Sequence, residues 1–237
     1  MGLENRGGAL FRELQQGFAY VFGFAPMRSI LLLLGLISLM GVPFQVLMPV
    51  FAKDILHGGP SVLGFLMGCS GAGAFLGAIY LASRKNVLGL ERLIPVATGI
   101  FGIGLIAFSL SRVLWLSLAL MVVTGFGMIA QMASSNTLLQ TLAEDDKRGR
   151  VLSYYTIAYR GMYPLGSLLA GSLASTIGAP GTLLLGGVCC LVGGAWFARQ
   201  LPAMREAIHP VYARMGYVAA KGPAISPATD ARVSLEE

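Results

Sequence analysis

The chain is dominated by six long apolar stretches separated by short polar segments. They cover residues 29–52, 61–83, 93–111, 113–142, 151–177 and 181–201. A helix needs roughly 20 apolar residues to cross the ~30 Å hydrocarbon core of a bilayer. Strands of a membrane barrel would alternate polar and apolar residues, and these stretches do not alternate. The pattern therefore predicts an all-α membrane protein, a bundle of six transmembrane helices.

Two shorter regions flank the predicted bundle, which spans residues 29–201. Residues 1–28 are polar and mixed, with Phe11, Leu14 and Phe18 at helical spacing, so we expect an amphipathic lead-in helix at the membrane surface. Residues 202–237 start as a basic juxtamembrane segment and end in a polar tail that we expect to be disordered. The first apolar stretch is too long for a signal peptide, so we expect no cleavable leader.

Composition supports a lipid environment for the middle of the chain. The mean hydropathy is +0.72, and 12% of the residues are charged, against about 25% in soluble proteins. The 32 glycines suit helices that must approach closely where lipid supplies no hydrophobic driving force. The three cysteines, Cys69, Cys189 and Cys190, all lie in apolar stretches, so they indicate neither a disulfide framework nor a metal site.

The placement of the basic residues predicts the topology. With the amino terminus inside, fourteen Lys and Arg residues fall in cytoplasmic segments and only Lys53 and Arg112 fall outside. The cytoplasmic set is Arg6, Arg12, Arg28, Arg84, Lys85, Arg92, Lys147, Arg148, Arg150, Arg199, Arg205, Arg214, Lys221 and Arg232. This bias predicts a multi-pass protein with both termini cytoplasmic, and the family resemblance described below implies the plasma membrane of a bacterium. The net charge of +6 therefore indicates anionic lipid contacts rather than nucleic acid.

Two of the apolar stretches contain residues that disfavour a regular helix. Gly41, Pro43 and Pro49 lie in the first stretch, and Gly125 and Gly127 lie in the fourth. Interruptions at corresponding positions of two three-helix repeats indicate a transporter site, because a broken helix exposes backbone groups to a water-filled cavity. The alternative is that these residues serve only close helix packing.

Arg160 is the one charged residue that no polar segment can account for, since Arg199 lies at the cytoplasmic end of the last apolar stretch. It sits about 13 Å into the membrane from Val151, at ~1.5 Å per residue. A charge at that depth costs at least ~2.5 kcal/mol, so we expect Arg160 to face the bundle interior or water and to have a partner. Pro164 cannot donate a hydrogen bond to the Arg160 carbonyl, which predicts a helix break. The alternative is an arginine that snorkels to the interface or serves only structure.

Polar amides in the first and fourth stretches are further candidates for a substrate path. They are Gln45, Gln131, Asn136 and Gln140. Such amides either hold helices together or line a polar passage. No Asp or Glu lies within the six stretches, so an acid that couples transport to protons would have to lie elsewhere.

The loop between the fourth and fifth stretches is dense in charge. Residues 143–150 contain three acids and three bases, and the candidate gating residues are Asp145, Asp146, Arg148, Gly149 and Arg150. One interpretation is a solvated turn. The other is an ionic latch at the cytoplasmic face. Because ion pairs that water can reach are weak, such a latch would bias a change between two conformations without locking either one.

Four segments together resemble a known family. They are QGFAYVFGFAPMRSILLLL, SSNTLLQTLAEDDKRGRVLSYY, RGMYPLGSLLAG and MREAIHPVYARMGYV. They are similar to the carboxy-terminal half of major facilitator superfamily transporters, closest to the bacterial efflux branch of drug and siderophore exporters. The resemblance implies helices seven to twelve of a twelve-helix carrier. It also implies that Gln45, Gln131 and Asn136 lie on the substrate path.

The leading hypothesis is half of an alternating-access exporter of small amphipathic compounds. Its partners would be the lipid bilayer, the substrate, and a missing amino-terminal half or a second copy. The alternative is a truncated or non-transporting membrane protein, a remnant or interaction partner. The apolar stretches contain no metal set, nucleophile with base, or paired carboxylates, so we expect neither an enzyme nor a cofactor.

The predicted topology can be tested by labelling single cysteines with a membrane-impermeant thiol reagent. Cysteines at Gly58 and Gly178 should react from outside the cell, because the short basic segments lie on the other side. Cysteines at Gly89 and Lys147 should react only from inside. The reverse pattern would show that the topology is inverted.

Overall fold

The computed structural model describes residues 20–84 and 87–214. Helices make up nearly all of these residues, and no strand occurs among them. Within the described residues, five helices are long and apolar enough to cross a membrane: α1 (Ala25–Ile55), α2 (Pro60–Ala82), α3 (Leu90–Leu110), α4 (Leu114–Leu142) and α5 (Arg148–Ala213). The prediction of an all-helical membrane fold is confirmed.

The count of five differs from the expected six because the last two predicted spans lie in one helical run. α5 is 66 residues long, and a straight helix of that length would measure ~99 Å, about three times the hydrocarbon core. Gly178 interrupts the run with φ 76° and ψ 162°, a conformation that glycine adopts without a steric penalty. We call residues 148–177 the first arm and residues 179–214 the second arm.

The first arm runs parallel to α1. Gly35 lies beside the Ala158 carbonyl, and four residues further along α1, the Leu39 carbonyl lies beside Gly166. Residue numbers therefore rise together along the two helices.

The second arm runs antiparallel to α1. The Met40 carbonyl lies beside Gly186, while at the start of α1 the Ser29 hydroxyl donates a 2.6 Å hydrogen bond to Gln200. Residue numbers therefore fall along the second arm as they rise along α1. The chain thus reverses direction at Gly178, and the two arms pass the same helix in opposite senses.

Three contacts gather the basic segments at one end of the bundle. The Lys147 ammonium lies 4.5 Å from the centroid of the Tyr20 ring, Arg205 pairs with Glu91, and Ser29 bonds to Gln200. These contacts join the lead-in, the start of α3, the α4–α5 loop and the end of the second arm. We call this the basic end.

Helices α2, α3 and α4 pack with their backbones in direct contact at glycines. A Cβ on Gly73 would lie 1.9 Å from the Val122 carbonyl oxygen, and one on Gly125 would lie 2.0 Å from that of Ser70. Small residues permit this approach where lipid supplies no hydrophobic driving force between helices.

The expected interruption of α4 is wrong. The helix runs from Leu114 to Leu142 without a break. Its two glycines instead meet neighbouring backbones: Gly125 lies against α2, and a Cβ on Gly127 would lie 2.7 Å from the Phe101 amide nitrogen of α3. These glycines therefore serve packing, the alternative that the sequence left open.

The regions flanking the bundle are described only in part. Residues 1–19 and 215–237, which hold most of the predicted lead-in helix and tail, lie outside the described residues. The juxtamembrane segment after Leu201 continues the second arm as helix to Arg214. We call residues 201–213 the terminal extension.

Gly73→Ala should destabilise the bundle, because the new methyl group would overlap the Val122 backbone, which no rotamer change can relieve. Overpacking of this kind costs about 1–3 kcal/mol. Gly64→Ala on the same helix is the matched control, since a Cβ there has no neighbour within 4 Å. The melting temperature in detergent should fall for Gly73→Ala alone; equal melting temperatures would contradict the close α2–α4 contact.

Candidate functional site

α1 is broken near its middle, at the position of Pro43. Residues Ile37–Gly41 form a π-helical turn, in which the Val42 amide donates to the Ile37 carbonyl at 2.9 Å. Regular helix resumes at Phe44. Proline lacks the amide hydrogen that the preceding turn would need, so the α-helical hydrogen bonding cannot continue through Pro43. π turns inside helices occur frequently at functional sites.

Both arms of α5 pack against the broken part of α1. A Cβ on Gly166 of the first arm would lie 2.4 Å from the Leu39 carbonyl oxygen. A Cβ on Gly186 of the second arm would lie 2.4 Å from the Met40 carbonyl oxygen. The break is therefore enclosed by backbone on two sides.

α1 ends in a further π turn, Phe51–Ile55. The first arm also contains a π turn, which lies opposite the one at Ile37–Gly41. It covers Ile157–Gly161, just before Pro164, which has no amide hydrogen to donate to the Arg160 carbonyl. The Ser38 hydroxyl of α1 donates a hydrogen bond to the Tyr159 carbonyl. The two irregular turns are thus joined by a side-chain hydrogen bond.

Arg160 lies in the π turn of the first arm, with its side chain exposed. The sequence predicted a partner, yet within residues 20–84 and 87–214 the guanidinium forms no hydrogen bond or ion pair with the protein. Arg160 is therefore on an outer face of the bundle rather than among its packed helices.

The amides of the predicted substrate path lie in different environments. Gln45 is exposed on α1, whereas Gln131 is 2% exposed and donates a 3.1 Å hydrogen bond to Ser135. Asn136 is half-buried and accepts a 3.2 Å hydrogen bond from Gln140. Gln45 is therefore accessible, as Arg160 is, whereas Gln131 is buried and its side chain bonds to another residue of α4.

The charged loop forms its ion pairs within itself. Arg148 lies 2.9 Å from Asp145, and Lys147 pairs with Glu144. The hydrogen bond to Glu144 raises the pKa of Lys147 above its usual value. These pairs are solvent-accessible and hence weak.

The other gating candidates are also at the surface. Asp146, Gly149 and Arg150 are exposed, and the last two belong to the first turn of α5. A latch that reaches across the basic end therefore stays a prediction. The loop is connected to the lead-in instead, through Lys147 above the Tyr20 ring.

A buried charge pair at the basic end was missed by sequence reasoning. Glu91 is 7% exposed and lies in the first turn of α3, with a carboxylate oxygen 3.5 Å from Arg205 Nε. In the sequence Glu91 lies in the polar segment before the third apolar stretch, which begins at Leu93. The one available signal was an acidic residue at a helix start, a position that the helix dipole favours.

Comparison with known proteins agrees with this architecture. Residues 6–217 match the model of the transmembrane secretion effector family, a branch of the major facilitator superfamily. The chain belongs to this family. The match covers the lead-in, all five long helices and the terminal extension.

The relatives of this family member are named as transporters and pumps, not enzymes. It is 26% identical over 163 residues to the staphyloferrin A transporter of Staphylococcus aureus, covering 68% of this chain and 40% of the relative. It is 28% identical over 202 residues to the multidrug efflux pump Tap of Mycolicibacterium fortuitum, covering 84% and 48%. Tap of Mycobacterium tuberculosis H37Rv is 25% identical over 205 residues, covering 85% and 48%.

The chain spans about half the length of the curated relatives that it matches, between 40% and 48%. No solved structure matches the chain at a significant level.

Arg160→Leu should leave the bundle as stable as the parent, or more so, because it breaks no hydrogen bond or ion pair among the described residues and removes a charge that is costly in lipid. Gly166→Ala, six residues further along the same arm, should lower the melting temperature in detergent, since its methyl group would overlap the Leu39 carbonyl. A large loss of stability in Arg160→Leu would show that the arginine has a structural partner.

Proposed function

We propose that the chain is one half of a secondary active transporter that exports small amphipathic compounds, such as drugs or siderophores. Two observations support this proposal. The chain belongs to the transmembrane secretion effector family, and its relatives are named as a staphyloferrin A transporter and multidrug efflux pumps. In this proposal the exporter lies in a bacterial plasma membrane and works by alternating access.

The proposed half contains six spans, with both termini cytoplasmic. The reversal of the chain at Gly178 supports six, since each arm of α5 is long enough to cross the membrane once. The gathering of the basic segments at one end supports the orientation, because basic residues are retained on the cytoplasmic side. The coverage of less than half of each relative supports a carrier that needs a further half, or a second copy of this chain.

The single observation that carries the proposal is the exposure of Arg160 and Gln45 within apolar helices. A guanidinium facing hydrocarbon near the middle of a bilayer costs at least ~2.5 kcal/mol. A face that holds such a group is therefore stable only when water or other protein covers it. A partner half would cover this face with protein, and the path enclosed between the two halves would hold water.

The paired π turns of α1 and the first arm suit a carrier whose helices must bend. π turns within α-helices are rare and frequently mark functional positions. Pro43 and Pro164 leave backbone carbonyls without their usual donors, so polar groups are available near Arg160. In our proposal this region forms the substrate path, with Gln131 and Asn136 of α4 supporting it and residues 145–150 acting at the cytoplasmic gate.

The proposal can be tested by measuring efflux of a fluorescent amphipathic cation from cells. The chain alone should give no saturable efflux, because one half supplies only one wall of the cavity. Co-expression with the part of Mycolicibacterium fortuitum Tap outside the matched region should give efflux, provided that the two pieces copurify. Saturable transport by the chain as a demonstrated monomer would refute the half-carrier.

The same assay separates a functional Arg160 from a structural one. Arg160→Lys keeps the charge but loses the planar fork of donors, so we expect efflux to fall about tenfold or more while membrane expression is unchanged. Arg199→Lys, at the exposed basic end, is the matched control and should transport normally. Normal transport by Arg160→Leu would remove Arg160 from the substrate path.

A further inference from the structure

Three buried polar atoms that lack a hydrogen-bond partner lie together at the basic end, where the terminal extension meets α3. Four buried side-chain atoms lack a hydrogen-bond partner in the described part of the chain, namely Glu91 Oε2, Arg205 Nε, Tyr212 OH and Ser134 Oγ. Three of the four belong to this one cluster. Arg205 forms an ion pair with Glu91, and burial together with the nearby Glu91 carboxylate raises the pKa of Tyr212 to about 12. Buried polar atoms without partners are rare in folded proteins, so their concentration at one place calls for an explanation.

The pair at the centre of the cluster is asymmetric in its access to water. The Glu91 side chain is 9% exposed and the Arg205 side chain is 38% exposed. Their closest atoms are 3.5 Å apart, which is longer than a well-formed hydrogen bond. Part of the Arg205 side chain therefore already reaches water, whereas Glu91 becomes hydrated only when the extension moves away.

An apolar stripe holds the terminal extension against the bundle. Met204, Ile208 and Tyr212 recur every four residues and are 2%, 1% and 6% exposed. Residues with this spacing lie on one face of a helix. The burial of this stripe favours docking, while the unpartnered atoms of Glu91 and Tyr212 beside it disfavour docking, because both would gain hydrogen bonds in water.

We propose that Glu91, Arg205 and Tyr212 form a releasable clasp that docks the terminal extension on α3. In the docked state the apolar stripe is covered and the polar atoms are incompletely bonded. In the released state the stripe is exposed and the polar atoms are hydrated. The opposing contributions make the extension a segment that opens locally while the rest of the bundle stays folded.

Release of the clasp would also change a second feature of the basic end. Val211 lines a cleft of about 530 Å³ that also borders Tyr20 and Phe24 of the lead-in, and residues 141–145 before α5. Val211 is adjacent to Tyr212 on the extension, so undocking would remove one wall of this cleft. The clasp therefore connects α3 to the contact between the lead-in and the charged loop.

The clasp can be tested by the rate at which a cysteine at Ile208 reacts with a hydrophilic maleimide in purified, detergent-solubilised chain. The chain without the introduced cysteine gives the background from the native thiols. Glu91→Gln and Arg205→Met should each raise the rate about tenfold, because either change removes the charge attraction that favours docking. Glu206→Gln is the matched control, since Glu206 is exposed and adjacent to Arg205, and should not change the rate.

A second reporter distinguishes local release from general unfolding. A cysteine at Leu66, which is 0% exposed in α2, should keep its slow rate in both clasp variants. The charge-reversed pair Glu91→Arg with Arg205→Glu should return the rate at position 208 to within about twofold of the parent. The proposal is overturned if Glu91→Gln leaves the rate at 208 unchanged, if the rates at 208 and 66 rise together, or if the reversed pair reacts as fast as the single variants.

Discussion

The structure depends on direct contact between helix backbones, which glycine alone permits. In lipid there is no hydrophobic gain when two apolar helices meet, so the bundle relies on close packing. The contacts of Gly73 and Gly125 set the distance between α2 and α4, and those of Gly166 and Gly186 hold both arms against the broken part of α1. A bundle with ordinary side chains at these positions would have wider gaps and could not enclose the α1 break.

The cost of charge in an apolar environment accounts for the two most informative groups. Arg160 lies in an apolar arm with its side chain exposed, which is why the proposed function requires a covered, hydrated face. Glu91 lies in the first turn of α3, where it is buried beside Arg205 and one of its carboxylate oxygens lacks a hydrogen bond. The cost of placing a charge in an apolar environment thus indicates that the face holding Arg160 needs to be covered. It also underlies our proposal that the contact between Glu91 and Arg205 can open.

Much of the candidate site could be proposed from the sequence, but the environments of its residues could not. Proline chemistry is local, so the irregular turns near Pro43 and Pro164 follow from residue type and position. Glycine has two uses in membrane helices, and only the neighbouring backbone showed that Gly125 and Gly127 pack rather than interrupt α4. Whether Gln45 or Gln131 is accessible depends on helix rotation, which a chain that is apolar on all sides does not encode in its pattern.

By itself the sequence determined the helical class, the membrane environment and the extent of most helices, because about 20 apolar residues and their flanking charges are local, additive signals. It also determined membership of the transmembrane secretion effector family, which the match over residues 6–217 established. Only the tertiary structure decided that the chain reverses at Gly178, that Arg160 is exposed, and that Glu91 meets Arg205 across 114 positions of the chain. These are properties of how helices are rotated and paired, and they arise from contacts between residues that are distant in sequence.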